Sequence, residues 1–217
     1  MKRVGSSVSF LVSIEGFDGV GKTTQAKLLH NNLTKRSIKS LIVREPGGTT
    51  LAEKIREELN QNPSLTSTTE LLLFEVARSD LVENVMMPNL SDGIIVVTDR
   101  YIDSTLAYQG FGRGLNLSKV KQLNNISSLG LLPEITFLLD MNVEDALRRV
   151  SNRNEDPEEK QITKFEKETV EFHQRVRNGF LEIAKNNKER IIILDSTLGV
   201  EELSKIILEK VIEKIEN

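Results

Sequence analysis

The chain contains no cysteine, which excludes a disulfide framework, a thiolate metal site and a cysteine nucleophile. No apolar run approaches the ~20 residues that a membrane-spanning helix needs, so no membrane partner is expected. A cationic surplus is also missing: 29 Lys+Arg against 32 Asp+Glu leave a formal charge of -3 and an isoelectric point near 5.6. A protein built mainly to grip a nucleic-acid backbone carries the opposite balance, so no nucleic-acid partner is expected either. The only two histidines, His30 and His173, sit in helical patterns without metal-ligand spacing, and neither is assigned a role. There is no internal repeat, no low-complexity tract and no Asn-Lys-x-Asp segment of the kind that reads guanine. The basic start Met1-Lys2-Arg3 leads through a serine-interrupted apolar run straight into a phosphate loop, and cleavage as a signal peptide would delete the first strand. The expectation is a cytoplasmic chain forming one domain over residues 1–217.

What the sequence does contain is Gly16-Phe17-Asp18-Gly19-Val20-Gly21-Lys22-Thr23, a complete match to the phosphate-loop pattern G-x-x-x-x-G-K-[ST]. Val8 to Ile14 reads as a buried strand entering it, and Thr24 to Arg36 as a helix leaving it with Leu28, Leu29 and Leu33 on one face. Strand, loop, helix is the order this motif requires. Gly16, Gly19 and Gly21 let backbone N–H groups turn inward around an anion, and the helix N-terminus adds partial positive charge. Lys22 is placed to reach the outer phosphates, and the Thr23 hydroxyl to ligate a magnesium ion that bridges them. Gly16, Phe17, Asp18, Gly19, Val20, Gly21, Lys22, Thr23 and Thr24 are therefore the candidate nucleoside-triphosphate residues.

Further apolar runs at Ser40 to Val43, Ile94 to Val97, Ile135 to Leu139 and Ile191 to Leu194 have the length and β-branched content of buried parallel strands. With helical patterns between them, they predict an α/β fold: a five-stranded parallel sheet with helices on both faces and ligands beyond the strands' carboxyl ends. Arg44 follows the second strand in Arg44-Glu45-Pro46-Gly47-Gly48-Thr49. In the helical stretch from Glu70 to Leu81, Phe74 and Arg78 share a face; they suit a stacked base and its carbonyl, or alternatively a core ring and a half-exposed cation. Asp99 ends the third strand as a magnesium-holding carboxylate would. Beside it, Arg100, Ser104 and Tyr108 recur every four residues and can converge on one pocket with Thr105 and Gln109. Gly110-Phe111-Gly112-Arg113-Gly114 reads as a helix break and a mobile loop. From Ser151 to Glu168, ten of eighteen residues are charged, which predicts a surface flap rather than core. The pattern from Val200 to Ile215 predicts a final packing helix.

The phosphate loop with Asp18 inside it, Arg-Glu-Pro-Gly-Gly-Thr, Leu-Leu-Leu-Phe-x-x-x-Arg, Asp-Arg-Tyr-x-x-Ser-Thr-x-Ala-Tyr-Gln and the charged flap together resemble thymidylate kinase, in order and at that family's spacing. The resemblance implies a phosphate-loop nucleoside-triphosphatase fold with a mobile lid over about residues 151–166. It also implies transfer of the ATP γ-phosphoryl group to thymidine monophosphate with Mg2+, in a homodimer. By the same resemblance, Asp18 contacts the sugar 3'-hydroxyl, Arg44 and Arg100 grip the acceptor phosphate, Phe74 stacks on thymine and Arg78 bonds its carbonyl. Thr105 and Gln109 lie near the polar edge of the base, and Tyr108 lies under the sugar. Where one branch of the family has an arginine in the loop this chain has Gly19, so the catalytic set is Lys22, Arg100 and a lid arginine, Arg153 first and Arg149 second. After the lid, Thr163-Lys164-Phe165-Glu166 replaces the Asp-Arg-aromatic/Ile-Glu of many bacterial members, and its lysine lacks the two-pronged fork of arginine. Two readings compete: a kinase for a deoxynucleoside, using Glu45 as activating carboxylate, or for another nucleoside monophosphate; and a nucleotide-dependent switch.

Overall fold

The computed structural model describes residues 9–154, 165 and 168–216, except for the side chains of Arg153 and Asn154. In chain order it comprises β1 (Leu11–Glu15), α1 (Lys22–Lys35), β2 (Ser40–Arg44), α2 (Thr50–Gln61) and α3 (Ser67–Leu81), which passes through a wide i→i+5 turn (Val82–Met86) into α4 (Met87–Ser91). Then come β3 (Ile95–Asp99), α5 (Ile102–Thr105) with a second wide turn (Leu106–Gly112), α6 (Leu117–Ser127), β4 (Ile135–Asp140), α7 (Val143–Asn154), α8 (Val170–Lys185), β5 (Ile191–Asp195) and α9 (Val200–Glu216).

All strand pairings are parallel, in the order β2-β3-β1-β4-β5. The chain leaves β1 in one direction to build β2 and β3, then crosses to the other side for β4 and β5. Such a reversal opens a crevice at the carboxyl end of β1, where the phosphate loop begins. Side-chain alternation divides the core between the two faces. Val12, Ile14, Val97 and Phe137 pack with Ala26, Leu29 and Leu33 of α1 and with Leu203, Ile207 and Val211 of α9. On the opposite face Leu11, Val43 and Val96 meet Leu81, Val82 and Met86. The middle of that second face is polar: Ser13, Glu15, Thr98 and Thr136 are all fully buried, with Ser13 in register with Thr98 and Thr136.

The five expected strands are present. The first begins at Leu11, while the third runs on to Asp99. The stretch Gly110 to Gly114 departs from expectation. Gly110 and Gly112 are buried within the wide-turn helix, and Arg113 is tied to Glu70 and Glu168. These glycines permit close packing rather than motion, since a Cβ on Gly112 would lie 2.8 Å from both Phe172 and Val176. Gly179 of α8 meets the same segment, and a Cβ there would lie 2.7 Å from Cβ of Phe111.

That contact decides the sign of a substitution. Alanine at a helix-interior glycine gains about 1 kcal/mol of helix propensity, but overpacking against a neighbour's Cβ costs about 1–3 kcal/mol. Gly179→Ala is therefore expected to be neutral to destabilising, by up to about 2 kcal/mol, in urea unfolding; a stabilised variant would show that α8 is free to move away.

Candidate active site

The phosphate loop leaves β1 at Gly16 and enters α1 at Lys22. Gly21 caps α1 at φ 92° with no side-chain cap, leaving the first backbone N–H groups of the helix directed at the crevice. Gly19 is fixed by crowding, because a Cβ there would run into the Ala146 carbonyl of α7. Lys22 is buried and folds its ammonium back onto the Phe17 carbonyl, 2.7 Å away. Burial and the Arg100 charge lower its pKa to about 8, against Asp18, Asp99 and Glu15. Thr23 donates its hydroxyl to Asp99 at the end of β3. A hydroxyl and a carboxylate from two elements thus meet beside the loop, as a magnesium site completed by phosphates and water requires. Among the described residues no cluster of three or more His, Asp or Glu forms a metal cage.

Arg100 occupies a left-handed backbone conformation, φ 74°. Its guanidinium donates to the Gly16 carbonyl at 2.9 Å, Ser104 at 3.2 Å, Asp18 at 2.6 Å and the Tyr108 hydroxyl at 3.1 Å. Tyr108 in turn donates to Asp18 at 2.9 Å. The four-residue spacing of Arg100, Ser104 and Tyr108 does bring them together. Burial works against the Arg100 charge, yet Tyr108, Asp18 and Asp99 hold its pKa above the ordinary arginine range. Burial likewise opposes the Asp18 charge, but Arg100, Lys22 and the Tyr108 hydroxyl keep it ionised below its ordinary value.

Arg78 is neither solvent-facing nor half-exposed; it is 1% exposed. All five of its N–H groups are engaged: Nε and one Nη2 hydrogen with Glu45, the other Nη2 hydrogen with Thr105, and the two Nη1 hydrogens with Glu75 and Asn124. Burial pushes the Glu45 carboxyl up, with Arg78 opposing. Phe74 packs against the α2 residues Ala52, Ile55 and Leu59 and also lines the cavity. Arg44 is exposed and held by Glu53 at 3.0 Å. A cavity of about 630 Å3 runs from the phosphate loop past Arg44, Asp99 and Arg100 to Phe74, Arg78, Ser104, Thr105, Tyr108 and Gln109.

Three residues that the sequence reading left out also line or support it. Arg56 of α2 borders the cavity and bonds the Pro46 carbonyl at 3.1 Å; burial and the nearby Arg44 charge lower its pKa, the mark of cations gathered for an anion. Phe165, placed by charge pattern in a surface flap, is a half-buried cavity residue whose ring lies 5.1 Å from Tyr108 and 6.0 Å from Phe74. Glu15, next to the loop, accepts from the Tyr101 N–H at 2.7 Å, Ser104 at 2.6 Å and Ser13 at 3.0 Å. Its position immediately before Gly16 was the only available signal. Of the two candidate lid arginines, Arg149 lines the cavity and bonds the Ser196 carbonyl at 3.2 Å, while the Arg153 side chain and most of the 151–166 lid lie outside the described residues.

The family model for thymidylate kinase matches residues 14–207. The chain belongs to the thymidylate kinase family. It is 44% identical to the thymidylate kinase of Chlorobaculum parvum over 202 residues, covering 91% of this chain and 93% of that one. With the thymidylate kinase of Geotalea daltonii it shares 42% identity over 207 residues, covering 94% and 97%. The crystal structure of thymidylate kinase from Ehrlichia chaffeensis superposes with a TM-score of 0.76 at 32% identity, covering 94% of this chain and 99% of that one. Thymidylate kinases use ATP to phosphorylate thymidine monophosphate, and the family's five-stranded phosphate-loop fold is the one observed here.

Burial and the Asp103 charge raise the Glu15 pKa from 4.5 to about 8, against its hydrogen bonds and Arg100. Between those values the folded protein retains a proton that the unfolded chain has lost. This contribution to stability is therefore complete below pH 4.5 and disappears as pH rises through about 8. Glu15→Gln, which cannot ionise, is expected to show a smaller fall in urea midpoint between pH 5 and pH 8 than the parent protein. An identical fall in both would mean that Glu15 is already charged in the fold.

Proposed function

We propose that this chain transfers the γ-phosphoryl group of ATP to the phosphate of thymidine monophosphate, giving thymidine diphosphate and ADP, with residues 1–217 working as one kinase domain. The observation that carries the reading is the single cavity joining a phosphate loop to a buried, polar-edged aromatic pocket, with Arg44, Arg56 and Arg100 gathered at its lining. Two anions have to meet there, and cations are what allow them to approach.

The attacking atom is an acceptor phosphate oxygen, already ionised at neutral pH, so no side chain has to act as general base. Lys22 exchanges the Phe17 carbonyl for the outer phosphates of ATP, and the arriving negative charge favours its protonated form. Arg44 exchanges Glu53 for the acceptor phosphate, with Arg56 beside it. Arg100, already braced by Asp18, Ser104 and Tyr108, presents its charge without reorganising, which is how preorganised dipoles and charges lower a barrier. Magnesium, held by the Thr23 hydroxyl and, in part through water, by Asp99, would neutralise charge on the phosphates. Arg149 reaches the site from α7, and the resemblance assigns Arg153 the catalytic lid role. A closing lid would exclude water and limit ATP hydrolysis.

The acceptor's sugar lies over Tyr108, with its 3'-hydroxyl on Asp18, and its base stacks on Phe74. The deoxynucleoside-kinase alternative needs Glu45 as activating carboxylate, but Glu45 is already committed to Arg78, which argues against it. No helix among the described residues is long and apolar enough to cross a membrane, which is consistent with work in the cytoplasm. A homodimer is proposed from the family resemblance; the exposed Leu72 and Val76, four residues apart on α3 beside α6, offer an apolar stripe for a second copy. Equilibrium sedimentation at micromolar concentration should show twice the chain mass, and a monomer there would refute the pairing.

The decisive assay measures ADP release with ATP, magnesium and each nucleoside monophosphate in turn. Thymidine monophosphate is expected to give the fastest turnover, deoxyuridine monophosphate slower turnover and ribonucleotides almost none. Turnover of thymidine but not of its monophosphate would replace this reading with the nucleoside-kinase one. Phe74→Ala is expected to weaken monophosphate binding by about 1–3 kcal/mol, the scale of base stacking on an aromatic ring; unchanged affinity in calorimetry would confine Phe74 to its packing role.

A further inference from the structure

A primary amide can face a base with either end, because its oxygen and nitrogen are nearly equal in size, and the neighbours decide which. Gln109 is such an amide: its side chain is 1% exposed and lines the cavity at the proposed base site. Its Nε2 donates to Glu70 Oε1 at 3.0 Å. Glu70, fully buried, also accepts from Arg113 Nε at 3.1 Å on Oε1 and from Arg113 Nη2 at 3.1 Å on Oε2. A carboxylate held by an arginine fork is an acceptor only, so the NH2 end of Gln109 has to turn toward it. The carbonyl end is then left for the cavity. Arg113 is itself paired with Glu168 at 2.7 Å and lies 4.7 Å over the Phe172 ring, so it is held from two sides.

Resting on the function proposed above, we propose that Glu70, fixed by Arg113, is a specificity-determining positioning residue: it turns the Gln109 carbonyl toward the base and so selects a pyrimidine with a ring N–H beside a carbonyl. Arg78, one helical turn from Phe74, has all five of its N–H groups on protein partners, the Thr105 hydroxyl at 2.8 Å among them, so in this arrangement the amide of Gln109 is the group that meets the base edge. An acceptor at Gln109 complements the N3–H of thymine or uracil. Cytosine presents the reverse pattern, a ring-nitrogen acceptor and an amino donor. It would leave buried groups unpaired on both sides of the contact, the kind of mismatch that polar sites reject most strongly. Glu70 touches none of the base atoms in this arrangement; it acts through Gln109.

The test compares the parent protein, Glu70→Gln, Gln109→Leu and the double variant, with thymidine monophosphate and deoxycytidine monophosphate as acceptors. In Glu70→Gln the neighbour can accept or donate, so the amide loses its fixed direction. The expected result is a KM for thymidine monophosphate raised about tenfold or more, kcat within about threefold, and the thymidine-to-deoxycytidine ratio of kcat/KM lowered about tenfold. Gln109→Leu should lower the ratio similarly, and the double variant should lower it no further than either single change, as expected for residues acting in series. Equal losses for both acceptors, a fall confined to kcat, or additive effects in the double variant would overturn the proposal. If Glu70→Gln fails to fold, Glu70→Asp takes its place, keeping the charge for Arg113 while withdrawing the acceptor from Gln109; an unchanged ratio there also overturns it. A parent protein that prefers a different acceptor refutes the function reading and this proposal together, whereas a thymidine preference that survives in Glu70→Gln refutes only the role of Glu70.

Discussion

The guanidinium of Arg100 is the contact on which the rest of the site depends. It bonds the Gly16 carbonyl at the mouth of the phosphate loop and, with its other nitrogen, Asp18 and Tyr108. The phosphate loop is thereby fixed against the helical segment that carries Ser104 and Tyr108. To reach this position its own backbone adopts φ 74°, a conformation that costs a residue with a side chain about 1 kcal/mol or more. The surrounding hydrogen bonds hold it there: Glu15 takes the N–H of Tyr101 and the hydroxyl of Ser104 on either side of the turn.

That arrangement needs a buried polar floor, and the sheet provides one. Ser13, Glu15, Thr98 and Thr136 replace apolar residues at the centre of one face, beneath the α5 segment. Asp103, 1% exposed, is matched there by a two-pronged bond from Arg190 at 2.7 and 2.8 Å. A second buried centre, Arg78 between Glu45 and Glu75, stands a few residues away along the cavity. Charges taken out of water are tolerated only when paired and hydrogen-bonded, and the Asp103–Arg190 and Arg78–Glu45 pairs join segments far apart in the chain. Such networks are most useful where a site has to be rigid before its ligands arrive.

Much of this was legible along the chain. The phosphate loop, the strand ends carrying Arg44 and Asp99, and the Arg100-Ser104-Tyr108 spacing each lie within one segment, where local geometry alone fixes the chemistry. The Gly110 to Gly114 stretch was misread because glycine signals both freedom and close approach. Only the α8 ring and side chains of Phe172 and Val176 against Gly112 decide between them. Phe165 was hidden by the charges around it, since composition averages over a window while a single ring packs as an individual. Arg56 carried no signal at all; what distinguishes it is proximity to Arg44 and the cavity, which depends on how α2 folds back after β2.

By itself, then, the sequence determined the strand-loop-helix that carries the phosphate-loop pattern, the five parallel strands and many of the residue types that line the cavity, because periodicity of two or 3.6 and the steric needs of glycine act over a few consecutive residues. The tertiary structure alone decided which polar groups are free and which are engaged. Arg78 is fully bonded by partners 3 to 46 positions away, and the direction of the Gln109 amide is set by Glu70, 39 positions earlier. Hydrogen bonding is satisfied across space rather than along the chain, so the same residue types can read different bases depending on which neighbours the fold brings to them.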